Sequence, residues 1–137
     1  MPFSIPFSML TVAIATFLVA AVAGLTMAIF IFKNKYPPLI LIGFHGFFAL
    51  GALGLAIWSI GVPGTPSLVE YGILTILLAA VAGTFLISFQ FRNEMQPKVI
   101  VVLHGFVAVS GVSCLLFGLL QMSRILRPVQ WYTWISH

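Results

Sequence analysis

Two stretches of the chain decide its architecture: FKNKYPPLILIGFHGF at residues 32–47 and FRNEMQPKVIVVLHGF at residues 91–106. Each begins where a long apolar run ends, passes through a short polar segment with proline at its end, and continues into another apolar run. Proline is tolerated in the first turn of a helix, and it disfavours helix in the residue before it. Each stretch therefore predicts the bend of a helical hairpin.

Four apolar segments surround these two bends and a Pro/Gly-rich loop at residues 61–67. They cover residues 7–32, 38–60, 69–91 and 98–122. Each exceeds the roughly 20 residues that a helix needs to cross a hydrocarbon core of about 30 Å. The short loops make consecutive helices antiparallel neighbours. The sequence predicts an all-α integral membrane protein with four transmembrane helices in a single domain (residues 1–137), ending in an interfacial tail at 123–137.

The composition agrees with a membrane environment. Of the 137 residues, 61% are hydrophobic and 6% are charged, and the mean hydropathy is +1.19. A soluble domain carries about 25% charged residues because its surface faces water. This composition excludes an ordinary soluble enzyme, a disordered tail and a nucleic-acid-binding domain. Membrane lipids are the expected surroundings.

The charged residues predict an orientation. The cations that flank the first and third loops are Lys33, Lys35, Arg92 and Lys98. The positive-inside rule then places these loops in the cytoplasm and both termini on the non-cytoplasmic side, although two arginines in the tail argue the other way. Trp131, Tyr132 and Trp134 suit an aromatic belt at the membrane interface. We expect a multi-pass protein of the bacterial inner membrane or its organellar equivalent.

The two halves of the chain match without a gap at an offset of 59 residues. AAVAG, for example, occurs at residues 20–24 and again at 79–83. The two repeats cover about residues 7–60 and 69–122. Equivalent positions in the two copies are two spans apart, so both copies cross the membrane in the same direction. We therefore expect a pseudo-two-fold axis along the membrane normal. The second and fourth helices then run parallel, with His45 and His104 at the same depth.

Both histidines lie within predicted spans, about 10 Å from the loop end of the helix. An ionisable residue in that position is costly and marks a candidate functional site. Residues four and seven positions after each histidine share its helix face. They are Ala49, Ala52, Ala108 and Gly111. Small side chains there would leave a flat slot beside each imidazole, in which a porphyrin fits with one axial histidine on either side.

A shared haem would use neutral imidazoles, because a nitrogen lone pair binds the iron, and the product is a six-coordinate b-type haem suited to electron transfer. Lys33 and Arg92 are repeat-equivalent and would pair with the propionates. Simpler explanations exist for each feature. Small residues often serve close helix packing, and the two cations are ordinary positive-inside flanks. Asn34 and Asn93 fit C-terminal helix caps.

With these features the chain resembles small four-helix membrane b-type cytochromes, broadly those similar to cytochrome b561. The resemblance covers the four spans and the pair His45 and His104. It implies haem held by histidines and electron transfer between quinol, haem and a small oxidant or partner protein. Many such proteins carry two haems and four intramembrane histidines. With two histidines in its spans, this chain has ligands for one bis-histidine haem, or for a haem shared in an oligomer.

Three functions follow from the sequence. The first is a membrane b-type cytochrome with one haem b, acting with quinone or a respiratory partner as a quinone-linked oxidoreductase or a non-catalytic electron-transfer subunit. The second is a pigment-binding or structural accessory subunit of a larger membrane complex, in which each histidine faces outward and binds a chlorophyll-type pigment. The third is a small transporter or channel, although polar residues in the spans are sparse. A homo-oligomer is compatible with all three.

Overall fold

The computed structural model describes residues 4–60 and 65–135, with side chains at residues 8–60 and 65–124, and these residues form four α-helices. The helices are α1 (Ser4–Phe32), α2 (Leu39–Ile60), α3 (Ser67–Phe91) and α4 (Lys98–Ile135). All four are long and apolar enough to cross a membrane. The prediction of an all-α, multi-pass membrane protein is confirmed at this level.

The fourth helix continues past the predicted end at Met122 and reaches Ile135. The part that qualifies as a membrane span is Lys98–Arg124. The apolar stretch ends near Met122, but the backbone stays helical beyond it. The predicted tail is therefore helical as far as residue 135. The side chains of Trp131, Tyr132 and Trp134, on which the aromatic belt depends, lie outside the described side chains.

The first and third helices end in the same way. Asn34 and Asn93 have positive φ angles of 54° and 55°, in the left-handed region that asparagine tolerates. In both turns the N–H after the asparagine bonds a carbonyl five residues earlier at 2.9 Å, which defines a Schellman cap. The bonded pairs are Lys35 with Phe30 and Glu94 with Phe89. The prediction that the two asparagines cap helices is confirmed.

The helices pack as two hairpins side by side. α1 lies along α2, and α3 lies along α4, while smaller contacts join α1 to α4 and α2 to α3. In the described part of the chain, α2 and α4 make no close backbone contact, and neither do α1 and α3. The four helices thus form a bundle in which α2 and α4 are diagonal. The predicted pseudo-two-fold axis stays a prediction.

The hydrophobic core fills the half of the bundle that lies toward the α2–α3 loop. Its buried members are Leu10, Ala13, Ile14, Phe17, Ala52, Leu53, Ala56, Val69, Ile73, Ile76, Leu115 and Met122. They come from the first half of α1 and α3 and from the second half of α2 and α4. The half of the bundle toward the two polar loops holds the histidines, and these are only half-buried.

Three glycines allow close contact between α3 and α4: Gly118, which packs against Val69, and the facing pair Gly72 and Gly111. A Cβ atom added to Gly111 would lie 3.0 Å from the Gly72 carbonyl oxygen and 2.6 Å from Cγ1 of Ile76. A Cβ atom added to Gly72 would lie 2.9 Å from the Gly111 carbonyl oxygen. Small residues that bring backbones together are typical of helix interfaces in membranes. This pair therefore holds the second hairpin together.

We expect Gly111→Ala to lower the free energy of unfolding by about 1–3 kcal/mol, because the new methyl group overlaps a backbone oxygen that cannot move alone. The midpoint of denaturant-induced unfolding in detergent measures the effect. Gly54→Ala is the matched control, because a Cβ atom on Gly54 meets nothing within 4 Å. Equal midpoints for the two variants would contradict this account of the α3–α4 contact.

Candidate functional site

The imidazole rings of His45 and His104 meet between the two hairpins. Their centroids are 6.3 Å apart, and the ring planes are inclined at 69°. His45 lies on α2 and His104 on α4, the two helices that are diagonal in the bundle. The side chains therefore reach toward each other across the middle of the bundle. The structure brings together the two histidines that the repeat places at one depth.

Each ring is anchored by one nitrogen to the other helix of its own hairpin. Nδ1 of His45 lies 2.8 Å from the Ala20 carbonyl oxygen, and Nδ1 of His104 lies 2.9 Å from the Ala79 carbonyl oxygen. A carbonyl oxygen only accepts hydrogen bonds, so Nδ1 must carry the proton and donate it. In a neutral imidazole the lone pair is then on Nε2. Among the described residues, no hydrogen bond reaches either Nε2 atom.

Glycines on α1 and α3 make room for these hydrogen bonds. A Cβ atom on Gly24 would lie 3.0 Å from Cε1 of His45, and one on Gly83 would lie 3.1 Å from Cε1 of His104. Each glycine is four residues after the residue whose carbonyl accepts the bond. Because Cβ atoms point toward the helix N-terminus, a larger residue would cover that carbonyl. The spacing Ala-x-x-x-Gly on one helix thus provides a flat acceptor site for histidine on the next.

The small residues predicted to lie beside the histidines are in two environments. Ala49 and Ala108, one turn beyond the histidines, are half-buried. Ala52 and Gly111, two turns beyond, are buried in the core, where Gly111 contacts α3. At these two deeper positions the absence of a large side chain permits helix packing. The role of the four residues as the wall of a slot stays a prediction.

The predicted propionate-binding cations, Lys33 and Arg92, are exposed at the loop end of the bundle. Arg92 already has local partners. Its Nη2 atom lies 3.2 Å from Oε2 of Glu94, and its guanidinium carbon lies 4.7 Å from the centroid of the Phe89 ring. Exposed ion pairs of this kind contribute little to stability, so the arginine is free to exchange its partner at low cost.

A polar cluster ties the two polar loops together, and the sequence analysis does not identify it. Nε2 of Gln96 donates to Oε1 of Gln90 at 3.1 Å, and Nε2 of Gln90 donates to the Pro37 carbonyl at 3.4 Å. Gln96 is only 6% exposed, and its Oε1 atom has no partner among the described residues. The Tyr36 hydroxyl also donates to the carbonyl of Asn93 at 2.8 Å. These bonds fix the loop ends above the histidine pair.

The donor set limits which metals the site can hold. Within the described part of the chain, no group of three or more His, Cys, Asp or Glu residues gathers around one point. No protein-family model matches this chain, and neither a curated protein nor a solved structure does.

We expect Nδ1 of His45 and of His104 each to carry a proton, because each of these atoms faces a carbonyl oxygen, which can only accept a hydrogen bond. Nitrogen-15 NMR of histidine-labelled protein in detergent, before any cofactor is added, distinguishes a protonated ring nitrogen from an unprotonated one. Replacing the third histidine, His137→Ala, leaves only the two signals of interest. Protonated Nε2 atoms with unprotonated Nδ1 atoms would contradict the hydrogen bonds to Ala20 and Ala79.

Proposed function

We propose that the protein is a membrane b-type cytochrome that binds one haem b between His45 and His104 and exchanges electrons with quinone or a redox partner. One observation carries the proposal: two facing imidazoles are each fixed through Nδ1 and have no hydrogen bond at Nε2. Histidines that bind metals generally donate their other ring N–H to a carbonyl or carboxylate, which sets the tautomer and the ring orientation.

The distance between the rings supports a shared metal. Metal–imidazole bonds are about 2 Å long, so two rings on opposite sides of one metal have centroids about 6 Å apart when both nitrogens point toward it. The centroids of His45 and His104 are 6.3 Å apart. Two separate pigments would instead require the rings to point apart, so a centroid separation of only 6.3 Å favours one shared macrocycle.

The two histidine nitrogens and the cations at the end of the bundle with the polar loops support the same cofactor. Nε2 of His45 and Nε2 of His104 would hold the iron of a porphyrin, and the bound haem would supply one-electron redox chemistry. Lys33 and Arg92 lie at the end of the bundle nearer the histidines, so either cation would neutralise a propionate directed there. Glu94 would lose Arg92 as a partner in that case, at small cost because the pair is exposed.

The position of the site suggests where electrons enter or leave. Both histidines lie nearer the end of the bundle that carries the first and third loops. By the positive-inside rule this end is cytoplasmic and the termini are on the opposite side, in a bacterial inner membrane or its organellar equivalent. A single haem at this depth would exchange electrons with molecules in one leaflet of the membrane. The chain would therefore act with membrane quinone or with a partner on that side.

An absorption spectrum from about 350 to 700 nm of the purified protein, expressed with a supply of haem, tests the proposal. We expect a sharp α-band in the reduced-minus-oxidised spectrum and a pyridine-haemochrome signal, because bis-histidine haem is low-spin. His45→Ala and His104→Ala should each abolish haem retention. His137→Ala, which removes a histidine outside the described residues, should leave the spectrum unchanged.

Other outcomes of the same spectrum contradict the proposal. A chlorophyll-type spectrum would favour the pigment-binding subunit. A spectrum without any chromophore, together with solute transport in a separate assay, would favour the transporter. Equal haem content in the wild type and in both histidine variants would show that any haem present is bound elsewhere.

We also expect Gly24→Ala to weaken haem binding about tenfold to a hundredfold, since it displaces the histidine from the carbonyl that orients it. The new Cβ atom would lie 3.0 Å from Cε1 of His45. Gly46→Ala is the matched control, because it adds the same methyl group beside His45 in the sequence but meets no atom within 4 Å. Haem titrations of both variants measure the difference, and equal affinities would contradict the role given to Gly24.

A further inference from the structure

An apolar groove of about 290 Å³ runs along the seam between the two hairpins. Phe32, the last residue of α1, forms one wall. The first turns of α4 form the other wall through Lys98, Val99, Val102 and Leu103. The groove lies outside the bundle, next to the part of α4 that leads to His104, and it contains neither histidine.

The groove faces the membrane, and its upper end is at the membrane surface. Val99 is 71% exposed, and Val102 and Leu103 are each more than half exposed, so lipid chains must cover them. Phe32 and Lys98 are terminal residues of their membrane spans. The Lys98 side chain can keep its stem along the apolar wall while its ammonium group reaches the headgroup level.

The charge at the upper end is positive and uncompensated. Of the two carboxylates in the chain, Glu94 is paired with Arg92, and Glu70 is in the first turn of α3, at the opposite end of the bundle. Lys33 directly follows Phe32 and is exposed. The N-terminus of α4 adds its partial positive charge at Lys98. An anion at this position would therefore meet Lys98 and the N-terminus of α4, with Lys33 next in sequence to the groove wall at Phe32.

We propose that this groove binds an acidic phospholipid, with its phosphate between Lys98 and Lys33 and one acyl chain along Val99, Val102 and Leu103. The volume is at the lower end of the roughly 300–1,000 Å³ found for small-molecule pockets. It suits part of one chain and is too small for a macrocycle. The two cations favour an anionic headgroup over a neutral one. Because Arg92 would be sufficient for a haem propionate, this proposal does not depend on haem binding.

The bound lipid would connect the two hairpins. α1 and α4 make fewer contacts with each other than α1 makes with α2 or α4 with α3. A phosphate held by residues that end α1 and begin α4 would bridge this weaker seam. Because a ligand that binds only the folded state raises its stability, acidic lipid should stabilise the whole protein.

The experiment compares the full chain in nanodiscs of phosphatidylcholine alone and of phosphatidylcholine with phosphatidylglycerol. Lipid that stays with the protein after mild detergent extraction is identified by mass spectrometry, and the thermal unfolding midpoint is measured in parallel. We expect phosphatidylglycerol to be retained selectively and to raise the midpoint. Lys98→Gln should weaken retention about fivefold, as expected for one cation near an anionic headgroup.

Control variants separate a specific site from general surface charge. Arg124→Gln removes a charge from the other end of the same span, and Lys35→Gln removes one from the same loop end but outside the groove; both should retain the lipid. Val102→Trp, which fills the groove without changing the charge, should lose it. Three results would each overturn the proposal. Phosphatidylcholine could be retained as well as phosphatidylglycerol, or Lys35→Gln could lose as much lipid as Lys98→Gln. Inorganic phosphate could also displace the bound lipid completely.

Discussion

Two hydrogen bonds, from Nδ1 of His45 to Ala20 and from Nδ1 of His104 to Ala79, determine what the centre of this bundle can do. A polar group without a partner costs several kcal/mol in hydrocarbon, so each ring is held firmly by its one available acceptor. In the neutral ring this bond leaves the lone pair on Nε2. Glycine on the facing helix favours the bond, because a Cβ atom there would lie only 3.0–3.1 Å from the ring and push it away from the carbonyl.

The two ends of the bundle differ in how tightly they are packed. Toward the α2–α3 loop, Gly72 and Gly111 bring α3 and α4 together, and large apolar side chains fill the core. Toward the polar loops, the helices are joined by hydrogen bonds among Gln90, Gln96 and Pro37, and the histidines between them are only half-buried. The tightly packed end supplies stability, and the looser end leaves the imidazoles accessible to a ligand.

Apolar length predicted the four spans, and Asn34 and Asn93 predicted the helix caps, because both signals are local. The repeat predicted that His45 and His104 share a depth. The partner of each histidine could not be predicted, since every residue has a backbone carbonyl and only the packing shows which one is uncovered. Small residues were ambiguous for a similar reason: Ala52 and Gly111 fit a ligand slot and a packed interface equally well in sequence, and the structure places them in the core.

Titration of haem-free protein with haem b tests the central claim most directly. If His45 and His104 form one site, the absorption change should saturate at one haem per chain and give a low-spin, six-coordinate spectrum in the oxidised state. The combined variant His45→Ala/His104→Ala should fold but show no saturable change. Binding without saturation by the wild-type chain, or the same titration curve for the double variant, would contradict the account.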